Sequence, residues 1–312
     1  MARDLQVVGF GSIAVDDIIY VDRPLKAGKG KVVRRLVDHG GNVGTALVAV
    51  AKLGGRAGFV GWLRDDGLDD PSARELERQG VDISFAPRRP DARAVRSVIV
   101  VGSDGERFIA YDDGGPSGAS DALPDETLAQ ARVLMVDGYA AHSVAVVARA
   151  RRLGLAVVAD VEWTIGAPTD EVIALSNHLV LPIAFARLHA GETDAKAVVG
   201  ALWTDDRAAV VLTDGENGAF VRETGDAVLW RIPAWKVIPV DTTGAGDCFH
   251  GAYAFALTEG KSPVAAAVFA SSAAALSVTG HGGRAALPTL PACRSMMARA
   301  DAPTPIAVGS YQ

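Results

Sequence analysis

Short apolar runs alternate with stretches of helical periodicity along most of the chain, and this alternation limits the fold more than any other feature. Within residues 43–53, Val43 and Leu47 fall on one face of a helix while Lys52 points away from it. Such alternation is typical of βαβ units, whose parallel strands are covered by helices on both sides. We therefore predict an α/β fold with a doubly wound, mostly parallel sheet flanked by helices. The predicted strands cover residues 5–10, 58–61, 133–136, 156–159, 178–181 and 208–212, and the predicted helices cover residues 43–53, 71–79, 141–153, 169–176 and 194–204.

Two segments interrupt this pattern. Residues 12–39 and 93–112 show the polar alternation of strands, with no helix between the runs. The second segment indicates a hairpin, because strand-like residues 97–101 and 107–111 flank a Gly-Ser-Asp-Gly turn. We predict that the two segments form a small β-sheet beside the main one, in the position of a lid.

The composition describes a well-filled globular chain, since 49% of its 312 residues are apolar and 22% are charged. We expect residues 1–303 to form a single domain and the polar tail at 304–312 to be loosely ordered. The 31 Lys and Arg against 37 Asp and Glu give a net charge of −6. This balance gives no electrostatic reason to expect a nucleic-acid partner.

Cysteine content and hydropathy bear on the compartment. The two cysteines, Cys248 and Cys293, are too few for a disulfide framework and suit a reducing environment. No uninterrupted apolar run reaches the ~18 residues of a membrane span, and the first residues, with an acid at Asp4, lack the pattern of a secretory signal. We therefore expect a cytoplasmic enzyme with no membrane partner.

The strongest local motif is the run of small residues Asp-Thr-Thr-Gly-Ala-Gly-Asp at 241–247, which opens an apolar helix reaching about Glu259. Gly244 and Gly246 let the backbone turn tightly, so that their amides and the helix dipole stabilise an anion, most naturally a phosphate. Asp247 beside that anion is suited to take a proton from an attacking hydroxyl during phosphoryl transfer. Local chemistry alone leaves equally open a glycine-rich turn in which Asp247 only caps the helix.

Residues 241–252 resemble the C-terminal signature of the ribokinase-like (PfkB) carbohydrate kinases, and residues 40–61 are similar to the N-terminal signature. Residues 11–16 resemble the opening strand of that family with its substrate-binding Asp16, and residues 213–218 resemble its glycine turn on the nucleotide side. The order and spacing of these motifs fit from about residue 5 to residue 290. The chain is thus identified by resemblance as a ribokinase-like kinase.

This resemblance implies an ATP-dependent kinase that acts on a sugar or sugar derivative, with Mg²⁺ and K⁺ as metal cofactors and a ribokinase-like fold. By position, Asp247 would be the catalytic base, and the amides of Gly244, Ala245 and Gly246 the anion hole. The remaining implied site residues are Asp16, Gly41, Asn42 and Thr45 in the sugar pocket, Thr213, Gly215 and Gly218 near ATP, His281, Gly282 and Gly283 near the adenine, and Asp241 and Thr243 at a monovalent cation.

The chain departs from the family pattern in two places. Thr45 stands where many relatives have Asn, and a Thr there resembles the sulfofructose kinase-like branch, which is also similar around residues 282–284. The Asn-x-x-Glu motif that helps to organise Mg²⁺ is replaced by residues 181–184, which have no carboxylate. Mg²⁺ would then be held through water by Asp160 or Glu162, or largely by ATP itself. Alternatively, the loss indicates a sugar- or nucleotide-binding regulator with weak catalysis.

The lid segment at residues 26–35 carries five basic residues and no acid. In that position Lys29, together with Arg107 on the hairpin, would contact an anionic substituent of the substrate. A solvated strand edge protected by lysines is the alternative. Exposed edges of the lid also predict a homodimer formed through the lids.

Two motifs suggest other activities. Gly9-x-Gly11-x-x-Ala14 follows a strand like a dinucleotide-binding fingerprint, which would indicate an NAD-dependent oxidoreductase, but residues 18–21 are β-branched where that motif needs a helix. Residues 260–262, Gly-Lys-Ser, mimic the end of a P-loop but follow a helix, so we interpret them as a helix stop. A nucleoside kinase is the remaining alternative within the kinase class.

Overall fold

The computed structural model describes residues 5–64, 71–113 and 115–311 of the chain. The strands are β1 (Val7–Phe10), β2 (Ala14–Val21), β3 (Val32–Gly40), β4 (Ala57–Phe59), β5 (Leu63–Arg64), β6 (Arg88–Arg89), β7 (Val95–Val101), β8 (Arg107–Asp112), β9 (Val133–Asp137), β10 (Ala156–Asp160), β11 (His178–Pro182), β12 (Ala209–Thr213), β13 (Ala219–Glu223), β14 (Val228–Ile232) and β15 (Ile306–Ser310). The helices are α1 (Asn42–Lys52), α2 (Pro71–Arg78), α3 (Asp125–Ala129), α4 (Val144–Arg152), α5 (Ala167–Leu175), α6 (Ile183–Ala190), α7 (Ala195–Leu202), α8 (Ala245–Thr258), α9 (Pro263–Ser277) and α10 (Leu290–Met297).

The main sheet has the strand order β15-β14-β13-β12-β11-β10-β9-β1-β4. Strands from β4 to β12 in this order pair in parallel, and β13, β14 and β15 extend the sheet with antiparallel pairs. Successive residues of the parallel strands enter opposite apolar clusters: Val133 belongs to the cluster that includes residues of α1, α8 and α9, and Leu134 belongs to the cluster that includes residues of α4, α5 and α7. Both faces are therefore buried by helices, and the predicted doubly wound, mostly parallel sheet is confirmed.

The predicted strands and helices occur within a few residues of their expected bounds. Helix α6 was not predicted, because it follows β11 directly and its eight residues are too few to show helical periodicity. Gly9 and Gly11 lie where β1 leads into β2 with no helix between, and α8 ends just before Gly260. Both motifs are therefore structural, as the sequence indicates.

Residues 12–39 and 93–112 form the predicted separate sheet, with the order β3-β2-β7-β8. We call this sheet the lid. The register puts Asp16 and Asp38 on one face and Val37 and Val98 on the other. The second face is open: Val37, Val98 and Phe108 are 67%, 43% and 64% exposed, and the ion pair of Asp17 and Arg35 lies on the same face.

The expectation of a loosely ordered tail is wrong. Residues 306–310 form the edge strand β15, which pairs antiparallel with β14. Beyond it, the Arg222 guanidinium lies 3.9 Å from the ring centre of Trp203 and 4.0 Å from that of Tyr311. The strand hydrogen bonds and this stacked cation fix a segment whose polar, proline-containing sequence predicts little order.

None of the helices in the described ranges combines the length and the apolarity needed to cross a bilayer.

Candidate active site

The carboxyl ends of the parallel strands lie at one edge of the main sheet, and acidic residues collect there. Asp137 ends β9 and Asp160 ends β10, while Ser12 follows β1. The buried Asp137 carboxylate accepts hydrogen bonds from the amide and the hydroxyl of Ser12, both at 2.7 Å. In open α/β sheets this edge is where ligands bind. We therefore treat the cleft between this edge and the lid as the candidate site.

Helix α8 begins at this edge with a turn that only glycine can make. Gly244 precedes the helix with φ 73°, and a Cβ on it would lie 2.7 Å from the carbonyl oxygen of Gly283. The amide of Ala245 donates weakly to Thr242 at 3.3 Å. Among the described residues, no acceptor faces the amides of Gly244 and Gly246. Two donors at the positive end of the helix dipole thus remain open to an anion.

Asp247 lies in the first turn of α8. Burial raises the pKa of its carboxyl well above the ordinary value, and the nearby carboxylates of Asp160 and Glu162 raise it further, while His250 and Arg284 oppose the rise. A carboxylate with a raised pKa holds a proton more strongly than an exposed aspartate. The position is thus suited to general-base chemistry.

Asn42 connects α1 to the acidic residues at the sheet edge. Its side-chain amide donates to Asp160 at 3.1 Å and to Glu162 at 3.0 Å. Its backbone amide donates to the hydroxyl of Ser12 at 2.8 Å. Gly41 precedes α1 with φ 86° and abuts Ser12. The structure therefore uses the amide of Asn42 to hold two carboxylates in place beside Asp247.

Asp16 and Thr45 meet around a buried arginine. A Cβ on Gly40 would overlap the Asp16 carboxylate, and Arg284 donates to the Gly40 carbonyl at 2.6 Å and to the Thr45 hydroxyl at 3.2 Å. Burial raises the pKa of Asp16 to about 6, Asp38 adds to the rise, and Arg284 opposes it. Asp16 on the lid, Thr45 on α1 and Arg284 thus form one polar group between the lid and α1.

Asp241 lies where the lid meets the loop before α8. One carboxylate oxygen accepts from the amide of Thr243 at 2.9 Å, and the other accepts from the Tyr20 hydroxyl at 2.5 Å and the Gly282 amide at 3.0 Å. Burial alone would raise the pKa of Asp241, but these hydrogen bonds outweigh it and lower the pKa. The Thr243 hydroxyl is buried without a partner among the described residues.

The lid residues predicted at the substrate take different positions. Arg107 donates to the hydroxyl of Thr242 at 2.5 Å and so reaches the loop before α8. Lys29 lies exposed in the turn between β2 and β3, and no described hydrogen bond or ion pair joins it to the site. The ring of His281 lies edge-on to that of Tyr20, with centres 5.2 Å apart, and its Nδ1 is buried without a partner among the described residues.

The predicted nucleotide-side residues form a separate turn. Thr213 ends β12, and Gly215 and Gly218 follow it with φ values of 50° and 96°. A Cβ on Gly218 would overlap the carbonyl oxygen of Ile232. In the described part of the chain, no hydrogen bond connects this turn to residues 281–283.

Four residues of the site have no function assigned by any sequence motif: Tyr20, Asp38, His250 and Arg284. Asp38 and Tyr20 belong to the lid, where polar alternation predicts a strand but not which residue faces the cleft. Arg284 is noted in the sequence only because residues 282–284 resemble a branch of the family. His250 is one of six scattered histidines, and no function is predicted for it. Asp16 of β2 pairs directly with Asp38 of β3. Once that pairing is known, strand alternation places both side chains on the same face of the lid.

The described residues contain no group of three or more His, Cys, Asp or Glu side chains arranged to hold a metal ion.

Comparisons with known proteins agree with this geometry. Residues 4–290 match the pfkB family carbohydrate kinases. The chain is 29% identical to the ribokinase of Bacillus subtilis, over 92% of this chain and 97% of that protein, and 27% identical to the ribokinase of Haemophilus influenzae, over 93% and 96%. A provisionally named ribokinase from Agrobacterium tumefaciens superposes with a TM-score of 0.84 at 28% identity, over 95% and 98%. The chain therefore belongs to the pfkB family of carbohydrate kinases, and its fold is ribokinase-like.

Proposed function

We propose that this carbohydrate kinase transfers the γ-phosphoryl group of ATP to a sugar hydroxyl, with Asp247 as the base. One observation carries the proposal: Asp247 and the open amides of Gly244 and Gly246 belong to the same turn, at the edge of the main sheet where Asp160 ends β10. A base and an anion hole in one rigid turn are what phosphoryl transfer requires, because the reaction needs positioning and charge stabilisation.

In the proposed step, the acceptor hydroxyl gives its proton to the Asp247 carboxylate. The acceptor oxygen forms a bond to the γ-phosphorus, the bond from that phosphorus to the bridging oxygen breaks, and ADP leaves. The amides at the start of α8 stabilise the charge on the transferred group. The raised pKa of Asp247 strengthens its carboxylate as a base.

The proposed acceptor is a sugar of the size that ribokinases and fructokinases take, since these are the names of the relatives. Asp16 would accept hydrogen bonds from its hydroxyls, with Gly41, Asn42 and Thr45 completing the pocket. Asp16 and Asp38 make this pocket acidic, which favours a neutral polyol. An anionic acceptor bound by Lys29 and Arg107, such as a sulfonated ketose, stays a proposal that an acceptor panel decides.

ATP would lie between the turn at residues 213–218 and the loop at residues 281–283, which are both near the start of α8 in the proposed arrangement. Mg²⁺ would come with the nucleotide. For K⁺ we propose Asp241 and Thr243, supported by the buried Thr243 hydroxyl that has no partner among the described residues. The Asp241 carboxylate already accepts three hydrogen bonds, so the backbone there would supply most ligands.

The test is ADP release with Mg-ATP, with and without K⁺, over ketoses, aldoses, sugar acids, sugar phosphates, a sulfonated ketose and nucleosides. We expect activity on a neutral sugar, and a fall in kcat of about 10²–10⁴-fold in Asp247→Asn, since that is what a positioned base contributes. Calorimetry should show ATP binding nearly unchanged in the variant. Wild-type kcat in Asp247→Asn would refute the base, and ATP binding without turnover of any acceptor would indicate a regulator.

We also propose a homodimer formed through the lids. The support is the outer face with its exposed apolar side chains Val37, Val98 and Phe108, which is open in the single chain and would be covered by the same face of a second copy. Light scattering should give twice the chain mass, and Phe108→Asp should give monomers. A wild-type monomer at working concentration would refute the dimer.

A further inference from the structure

Arg107 begins β8, the edge strand of the lid. Val101 of β7 pairs both with Arg107 and with Tyr20 of β2. Because directly paired residues point to the same face of a sheet, these three side chains form one row across three strands, which we call the Tyr20 row. Asp16 lies four residues before Tyr20 on β2, so strand alternation puts it on the same face.

The Tyr20 row binds two successive residues of the loop before α8. The Tyr20 hydroxyl donates to the carboxylate of Asp241, and the Arg107 guanidinium donates through Nη1 to the hydroxyl of Thr242, each at 2.5 Å. The carbonyl of Thr242 in turn accepts from the amide of Ala245 at 3.3 Å. Thr242 is therefore part of the turn that begins α8, and the guanidinium of Arg107 lies against this turn.

The chain does not neutralise the charge of Arg107. Its hydrogen bond goes to a neutral hydroxyl and uses one of the five N–H groups of a guanidinium. In the described part of the chain, no carboxylate pairs with it. Arg35 of the same lid is a contrast, since it makes a bidentate ion pair with Asp17 on the opposite face. A free guanidinium beside an anion-binding turn is suited to a group with several negatively charged oxygens.

The register of the lid separates Arg107 from the proposed acceptor pocket. Asp16 pairs with Ser97, and Ser97 pairs with Tyr111, which is four residues along β8 from Arg107. At about 3.4 Å per residue, the backbones of the two rows lie roughly 14 Å apart. A sugar bound at Asp16 would thus lie at one end of the lid face. Arg107 lies at the other end, against the turn that would hold the phosphoryl group.

We propose that Arg107 is a catalytic residue of phosphoryl transfer: its guanidinium, brought to the start of α8 by the lid, binds the γ-phosphoryl group together with the open amides. This inference rests on the proposed function, and it assigns Arg107 to the nucleotide instead of the acceptor. The acceptor oxygen bonds to the γ-phosphorus while the bond to the bridging oxygen breaks. The guanidinium pairs with the non-bridging oxygens throughout, keeps its own protons and stabilises the charge that develops there.

The first experiment measures nucleotide affinity by calorimetry in the wild-type chain and in Arg107→Ala, with Mg²⁺ and both with and without the best acceptor. The ligands are ADP and the β,γ-imido analogue of ATP, which carries the γ-phosphoryl group but is not turned over. We expect Arg107→Ala to lose about tenfold in affinity for the analogue and to keep its affinity for ADP. An unchanged affinity for the analogue, or an equal loss for both nucleotides, would overturn the proposal. This readout needs no turnover, so it holds whether or not Asp247 is the base.

The second experiment compares steady-state kinetics over the acceptor panel. Arg107→Ala should lower kcat by about 10²-fold or more, since it removes a donor to the developing charge, and should leave the KM of a neutral acceptor unchanged. Arg107→Lys keeps the charge without the planar fork and should fall between the two. Millimolar guanidinium should restore part of the kcat of Arg107→Ala, because the side chain is exposed to solvent. A raised KM for anionic acceptors with an unchanged kcat would assign Arg107 to the acceptor and overturn the proposal.

Two further variants test whether Arg107 only holds the lid in place. Thr242→Val removes the hydroxyl partner and keeps the guanidinium, so it should lower kcat much less than Arg107→Ala does. Arg35→Ala is the matched control on the opposite face of the lid, and it should leave kcat and both nucleotide affinities unchanged. Equal falls in kcat in Thr242→Val and Arg107→Ala, with no rescue by guanidinium, would show that the contact is only a latch, and the proposal would fail.

Discussion

The hydroxyl of Tyr20 donates a 2.5 Å hydrogen bond to the carboxylate of Asp241, 221 residues away in the sequence. Tyr20 belongs to the lid, and Asp241 begins the loop that leads to the anion-binding turn of α8. The same carboxylate accepts from the amide of Gly282, whose neighbour Gly283 packs against Gly244. Closure of the lid and the shape of the anion-binding turn are therefore connected through one side chain.

Tyr20→Phe should weaken this connection without opening a cavity. Hydrogen bonds to charged groups contribute about 1.5–3 kcal/mol, and each 1.4 kcal/mol is a factor of ten. We expect kcat/KM for the acceptor to fall by about tenfold or more in steady-state assays. Tyr311→Phe is the control, because it removes a hydroxyl that donates to the Lys196 carbonyl at 3.0 Å, outside the lid and the site. An unchanged kcat/KM in Tyr20→Phe would show that the contact does not couple the lid to turnover.

Asp16→Asn should stabilise the protein at neutral pH and impair it as an enzyme. Burial raises the pKa of Asp16 from 3.8 to about 6, so the folded state binds the proton more tightly than the unfolded state does. Stability is therefore lost as the pH rises from about 4 to 6, by up to about 3 kcal/mol. The neutral amide avoids this loss.

Urea unfolding of wild type and Asp16→Asn at pH 3.5 and 7.5 measures this effect. We expect equal free energies of unfolding at pH 3.5 and a variant more stable by about 1–3 kcal/mol at pH 7.5, with a higher KM for the acceptor. In the wild type, KM should also rise as the pH falls below about 6, because the protonated carboxyl loses acceptor capacity. A less stable variant at pH 7.5 would contradict the pKa argument.

Gly244→Ala should damage both the fold and the anion-binding turn. A non-glycine residue at its φ of 73° costs about 1–2 kcal/mol, and the added Cβ would meet the Gly283 carbonyl at 2.7 Å. Displaced amides should lower kcat, and one lost anion-hole donor costs roughly 10²–10³-fold. Gly260→Ala is the matched control, with φ 76° and no atom within 4 Å of its Cβ. It should lower the free energy of unfolding by about 1 kcal/mol and leave kcat unchanged; equal effects of the two substitutions would refute the argument.

The sequence predicts the main sheet because its apolar strands are short, contiguous and separated by amphipathic helices. It also predicts the strands at residues 133–136 and 156–159, which end one residue before Asp137 and Asp160, because each is a short apolar run. The turn at Gly244 follows from local glycine chemistry. All of these features depend on residues that are close together in the sequence.

Contacts between distant segments were not predicted. No local pattern shows that Tyr20 reaches Asp241 or that His250 reaches the Val180 carbonyl, because each pair meets only when the sheet and the lid are assembled. The same reason explains Lys29, whose charge predicts contact with an anion but which lies exposed in a turn. Charge shows what a side chain can bind, whereas its position relative to the cleft depends on the tertiary structure.

The C-terminal segment was also mispredicted, and its anchor can be tested. Tyr311→Ala removes one of the two rings that enclose the Arg222 guanidinium, whose Nε is buried without a hydrogen-bond partner among the described residues. A cation–π contact contributes about 0.5–2 kcal/mol, and the loss of ring burial adds to that. We expect the free energy of unfolding in urea to fall by about 2–3 kcal/mol and kcat to stay unchanged, because the anchor lies at the far edge of the sheet from β1. Tyr311→Phe keeps the ring and should lose only about 1 kcal/mol; equal losses in the two variants would show that the hydroxyl, and not the stacked cation, holds the strand in place.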